Sequence, residues 1–185
     1  FAFRTCCGAG AGRACEAPDT LANWQRYSAL WFNAPCHRSL YSYQTRTALA
    51  LAVRYTHIAV TYLPLACTGA SISDGLLGSQ RARECPPGKT GLCNTSVNAQ
   101  VAELREALTA AKKRQPDRTL DLVLISAGAN DVYFSGLVAD VIVDTATERA
   151  LFRRSGVMAS VDESRDALQR ELPQNFVKLR EALKP

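Results

Sequence analysis

One short stretch combines the residue types that acyl-transfer chemistry needs. It is Gly128-Ala129-Asn130-Asp131, directly behind Leu120-Asp121-Leu122-Val123-Leu124-Ile125-Ser126-Ala127. A carboxamide such as Asn130 can donate a hydrogen bond to an oxygen that becomes negative in the transition state. Gly128 lets the backbone turn tightly, and Asp131 can accept from backbone N–H groups of that turn or of a following helix. Four of the five residues from Leu122 to Ser126 are aliphatic, the pattern of a strand buried on both faces of a parallel sheet. In open α/β sheets, ligands gather just beyond the carboxyl ends of such strands, where the Asn-Asp pair falls.

Other reactive residue types are placed less usefully. His37 stands at a turn beside a cysteine and His57 before an apolar run, neither with an acid nearby in sequence to orient it. Both therefore read as structural. Gly8-Ala9-Gly10-Ala11-Gly12-Arg13 lacks the last glycine of a dinucleotide loop and follows no clear strand. Gly88-Lys89-Thr90 lacks the partner glycine of a phosphate loop, position 83 being arginine, so no nucleotide cofactor is expected. The chain has no Cys-x-x-Cys pair and only His37 adjoins a cysteine, so no metal is expected. Gly-x-Ser-x-Gly is absent, which argues against an α/β-hydrolase.

The elements that must position these residues fit one domain. The 185 residues can bury one sizeable core, and 47% hydrophobic with 21% charged residues is an ordinary globular balance. The net charge of +5 is spread among acids with no basic stripe, so nucleic acid is not an expected partner. No apolar stretch is long enough to span a bilayer. Seven cysteines point to an oxidising compartment, secreted or periplasmic. Cys85 and Cys93 bracket a turn-rich loop that a disulfide could close. Cys6, Cys7, Cys15 and Cys36 could pair among themselves or with Cys67, and the odd total leaves one thiol over. Phe1-Ala2-Phe3-Arg4 does not look like a natural start, which suggests a longer precursor.

Taken in order, residues 1–39 are a Cys/Gly-rich, loop-like insertion expected to pack on the rest through Trp24, Tyr27, Leu30, Trp31 and Phe32. Tyr41, Ala48, Leu51, Ala52 and Tyr55 share one face of a helix. His57-Ile58-Ala59-Val60-Thr61-Tyr62-Leu63 is β-branched and apolar, a predicted strand. Val97, Val101, Leu104, Leu108 and Ala111 line a second helix that ends in Lys112-Lys113-Arg114. Residues 40–131 thus read helix, strand, helix, strand, a parallel α/β sheet in progress. Further on, Thr145 to Glu148 and Ser160 to Glu163 fit capping boxes. Leu168, Leu172, Phe176, Leu179 and Leu183 then form a stripe that Pro173 kinks or restarts.

Gly128-Ala129-Asn130-Asp131 resembles the third conserved block, Gly-x-Asn-Asp, of the SGNH or GDSL family of esterases and lipases. Cys36-His37-Arg38-Ser39 with the Tyr-rich segment behind it is similar to the disulfide-containing branch of secreted GDSL esterases. Pro64-Leu65-Ala66-Cys67-Thr68-Gly69-Ala70-Ser71 lies where the family's second block belongs, with Gly69 at the glycine whose backbone N–H serves the same oxyanion. A side chain there would crowd the substrate oxygen.

The resemblance implies a flavodoxin-like three-layer α/β/α fold with a mostly parallel sheet, of which residues 1–185 make a single, partial domain. It implies a serine ester hydrolase that works through an acyl-enzyme on a small-molecule, lipid or acylated-sugar ester, with no cofactor. Gly69 and Asn130 would form the oxyanion hole, and Asp131 would brace the loop. The family's first block, Gly-Asp-Ser-Leu or similar, is missing, since Ser73-Asp74-Gly75 runs in the wrong order. So is the last block, an Asp three residues before a His, because no His lies beyond position 57. The expectation is an internal fragment, inactive alone, whose nucleophile and base lie outside it. The alternative is a non-catalytic, disulfide-stapled binding module of the same fold, for a carbohydrate or cell-wall ligand.

Overall fold

The computed structural model describes residues 31–84, 94–143, 145–154 and 158–184. Helices form where the local signals are strongest. Ser42 caps α1 (Tyr43–Arg54), its hydroxyl accepting from the Thr45 N–H at 3.2 Å. No residue of α1 is buried, and of the apolar face expected there only Ala48 and Leu51 are partly covered by the described residues. α2 (Gln100–Arg114) has no side-chain cap. Loop carbonyls take that role, since the Gln100 N–H donates to Gly75 O at 2.9 Å and the Val101 N–H to Leu76 O at 3.1 Å. Its last turn carries Lys112, Lys113 and Arg114, cations that suit the carbonyl end.

α3 (Phe134–Ile142) follows the Asn-Asp turn, and α4 (Ala146–Arg154) starts where Thr145 Oγ1 accepts from the Glu148 N–H at 3.3 Å. On α5 (Val161–Asp166) the capping box is complete. Ser160 Oγ accepts from the Glu163 N–H at 3.2 Å, and Glu163 Oε2 accepts from the Ser160 N–H at 2.7 Å. A π-helical turn, Ala167–Glu171, joins α5 to α6 (Leu172–Ala182). Pro173 stands in the first turn of α6, where a missing N–H is tolerated, so the helix restarts instead of breaking.

Among the described residues the only sheet is a two-stranded antiparallel ribbon, β1 (Gln80–Arg81) against β2 (Ser96–Val97). Gln80 lies opposite Val97, and Arg81 opposite Ser96. The two aliphatic runs expected as parallel strands carry no ladder; residues 59–67 and 118–127 have no helix, turn or strand. Their peptide N–H groups at 59–63, 65–66 and 119–127 find no hydrogen-bond partner among the described residues. Leu122, Val123, Leu124 and Ile125 are exposed, which corrects the expected burial on both faces. A run is covered only when ladder neighbours and helix layers flank it, and aliphatic composition alone supplies neither. The runs are tied near their starts by Arg118 Nη2, which donates to Thr61 Oγ1 at 2.6 Å.

The core instead gathers under the loop that follows the first run. Ala70, Ile72, Leu76 and Leu179 are buried together, with Val101, Ala127, Leu172 and Leu183 packed around them. Ile72 is fully enclosed, at 0% exposure.

Two cross-links fix the chain before this loop. Cys36 is bonded to Cys67, one of the pairings that the sequence leaves open. Arg38 donates to Ala66 O and Leu65 O, each at 3.1 Å, and pairs with Glu103 Oε2 of α2 at 3.0 Å. Trp31 stacks on His37 with ring centroids 4.7 Å apart, while Phe32 is exposed. Cys6, Cys7, Cys15, Cys85, Cys93, Trp24, Tyr27 and Leu30 lie outside the described residues.

Candidate functional site

The ends of the two runs turn toward each other. In the first turn the Ala70 N–H donates to Cys67 O at 3.2 Å, and Gly69 between them has φ +75°. In the second, Gly128 has φ +111°, and its carbonyl accepts from the Val132 N–H at 3.1 Å. Both values lie in the left-handed region, which glycine enters without the penalty of a Cβ. Tyr133 also stands there, at φ +56°, and leads into α3. A non-glycine residue so placed costs about 1–2 kcal/mol, which the surrounding turn must offset.

Two hydrogen bonds latch the turns together. Asn130 Nδ2 donates to Ala70 O at 2.8 Å, and the Ile72 N–H donates to Asp131 Oδ1 at 2.9 Å. These bonds bridge 60 and 59 residues of chain, so they fix tertiary and not local structure. Asp131 is 9% exposed, and a carboxylate that takes a buried backbone N–H contributes about 1.5–3 kcal/mol. The structure thus gives Asp131 a partner on the opposite turn, whereas the sequence suggests one in its own turn or the following helix. Its other oxygen, Oδ2, is buried without a partner among the described residues.

Asn130 is exposed, and its Nδ2 carries a second N–H beyond the one given to Ala70. The Gly69 N–H donates to no acceptor among the described residues. One backbone donor and one carboxamide donor therefore stand open on adjoining turns. Donors of these two kinds bind an oxyanion when they converge on one point. Ser71, the serine nearest to Gly69 in sequence, is engaged in its own turn, where Oγ accepts from the Asp74 N–H at 2.9 Å.

Arg83 is the residue that the sequence does not point to. Its Nε donates to Thr68 O at 2.8 Å, and its guanidinium fills the space that a Cβ on Gly69 would need. The reason for glycine at position 69 that the structure shows is therefore the close approach of Arg83, together with the positive φ. The Ala70 carbonyl and Ile72 N–H were equally illegible, because backbone groups carry no side-chain signature.

The histidines stand apart from this pair of turns. His37 Nε2 is 2.9 Å from Glu84 Oε1, outside hydrogen-bond alignment. The acid that the sequence does not place beside His37 is thus brought there by the fold. His37 also borders a shallow recess of about 190 Å³ shared with Arg38, Ser42, Tyr62 and Thr68. His57 stands edge-on to Tyr55, with centroids 6.2 Å apart. Among the described residues no cluster of three or more His, Cys, Asp or Glu could hold a metal ion, and no helix is long and apolar enough to cross a membrane. No protein-family model, no curated protein and no solved structure matches this chain.

Proposed function

We propose that the intact protein is an exported serine ester hydrolase of the SGNH type, cleaving carboxylic esters through an acyl-enzyme. The observation that carries this reading is the pair of cross-turn bonds, Asn130 to Ala70 and Ile72 to Asp131, which set Asn130 beside the Gly69 turn. In this reading the ester carbonyl oxygen settles between the Gly69 N–H and the second N–H of Asn130. As a serine attacks the carbonyl carbon, charge grows on that oxygen and meets donors that need no reorganisation. Asp131 acts by position: it holds the Ile72 N–H, so the Gly69 turn cannot swing away.

The nucleophile and its histidine base come from residues outside these 185, which contain neither a Gly-Asp-Ser block nor a late Asp-x-x-His. Those same segments would complete a flavodoxin-like sheet beside the two uncovered runs. The Cys36–Cys67 bond suits an oxidising, secreted or periplasmic setting. The substrate class is a small-molecule, lipid or acylated-sugar ester.

The test is to assay the intact protein on p-nitrophenyl acetate and butyrate, then treat it with an aryl phosphonate that captures reactive serines. Ester turnover and a single serine adduct by mass spectrometry are expected. Binding of an oligosaccharide with no turnover and no adduct would replace the hydrolase with the stapled binding module.

A further inference from the structure

Arg83 lies just past β1 and is held at two points: its backbone N–H donates to Pro35 O at 2.7 Å and its Nε to Thr68 O at 2.8 Å. Gln80 Nε2 donates to the same Thr68 carbonyl at 3.1 Å, which stiffens the peptide that Arg83 leans on. The guanidinium is thereby laid across Gly69, on the turn that offers the open N–H. Arg38 offers a contrast, because its charge is met by Glu103 at 3.0 Å. The acid next to Arg83 in sequence, Glu84, turns its Oε1 to within 2.9 Å of His37 Nε2 instead. Arg83 itself faces no carboxylate among the described residues, and it is exposed. A planar fork of N–H donors, positioned and unneutralised, is built to take a carboxylate or a phosphate.

We infer that Arg83 reads charge on the substrate: the ester taken at this site bears a carboxylate or phosphate near its scissile bond. The guanidinium holds that anion while the carbonyl oxygen lies at Gly69 and Asn130. This inference rests on the ester-hydrolase reading above. Two open donors alone would accept any ester carbonyl, and Arg83 turns that tolerant pair into a selective one.

The experiment compares the intact protein on p-nitrophenyl butyrate, on mono-p-nitrophenyl succinate and on a short acyl ester of glycerol 3-phosphate. The anionic esters should be preferred over the neutral one by about tenfold in kcat/KM at low salt. That preference should shrink in 0.5 M salt, where the Debye length is only about 4 Å. Arg83→Gln should reduce the anionic-to-neutral ratio by about tenfold, and Arg83→Lys should retain part of it. The larger of the two preferences tells a carboxylate from a phosphate source. An unchanged ratio in Arg83→Gln would overturn the inference.

A calorimetric titration with succinate and inorganic phosphate needs no turnover. Anion binding that Arg83→Gln weakens would uphold the anion site even if no ester is cleaved. Absence of binding by the wild-type protein would overturn it, whatever happens to the hydrolase reading.

Discussion

Residues 67–78 and 127–131 are latched to each other and closed over a core, whereas the runs that lead into them, 59–66 and 118–126, hold a few side-chain ties but bury no residue. The turns contain the fully enclosed Ile72, the buried carboxylate of Asp131 and two bonds across about 60 residues of chain. The runs are far more apolar, yet Val60, Leu63 and Leu122 to Ile125 are exposed, and the peptide N–H groups of these six residues find no partner among the described residues. Apolar composition sets how much a segment gains from burial; ladder partners and packing layers set whether burial happens. The turns hold because a few polar groups and one small cluster suffice to fix them, with Arg38 and Cys36–Cys67 anchoring the approach.

This contrast can be broken by substitution. Ile72→Ala should cost about 2–5 kcal/mol in urea unfolding, as for a large core side chain removed from a closed site. Val123→Ala in the exposed run should stay within about 0.5 kcal/mol. Equal losses would mean that the runs are as well packed as the turns. Asp131→Ala should come next, at about 1–3 kcal/mol, because it leaves the buried Ile72 N–H without an acceptor. A midpoint unmoved by Asp131→Ala would remove the latch from the account.

The smallest effect concerns the start of α5, where the capping hydrogen bonds join residues three apart. Glu163 is held below the usual carboxylate range, chiefly by the Ser160 N–H and next by its hydroxyl. A depressed acid contributes its stabilisation above its unfolded pKa and loses it as pH falls through the lower, folded value. The Ser160 amide resonance, followed by NMR on acidification, should therefore titrate below an ordinary glutamate. A midpoint at the ordinary value would deny the capping box its charge.

These regions also separate what was legible in the sequence from what was not. The capping box at Ser160, the restart of the last helix at Pro173 and the cationic end of α2 depend on neighbours within a turn, so they read directly from the chain. The place of Asn130 and Asp131 behind an aliphatic run was legible for the same reason. Their partners were not: Ala70 O and the Ile72 N–H are backbone groups far away in sequence. Arg83 escaped notice because it reaches Gly69 only after β1 has turned the chain back. The parallel sheet expected from 57–63 and 122–126 depends on partners that neither run names, and the described residues supply none. Residues 80–81 and 96–97, which do pair, are too short to show an alternating pattern.

The kcat of the intact protein on a short acyl ester, with and without Asn130→Ala, tests most directly whether the latched turns form an oxyanion site. In Asn130→Ala, kcat should fall by about 100-fold or more while KM changes little, as when one donor to the oxyanion is lost. A kcat equal to that of the wild type would contradict it.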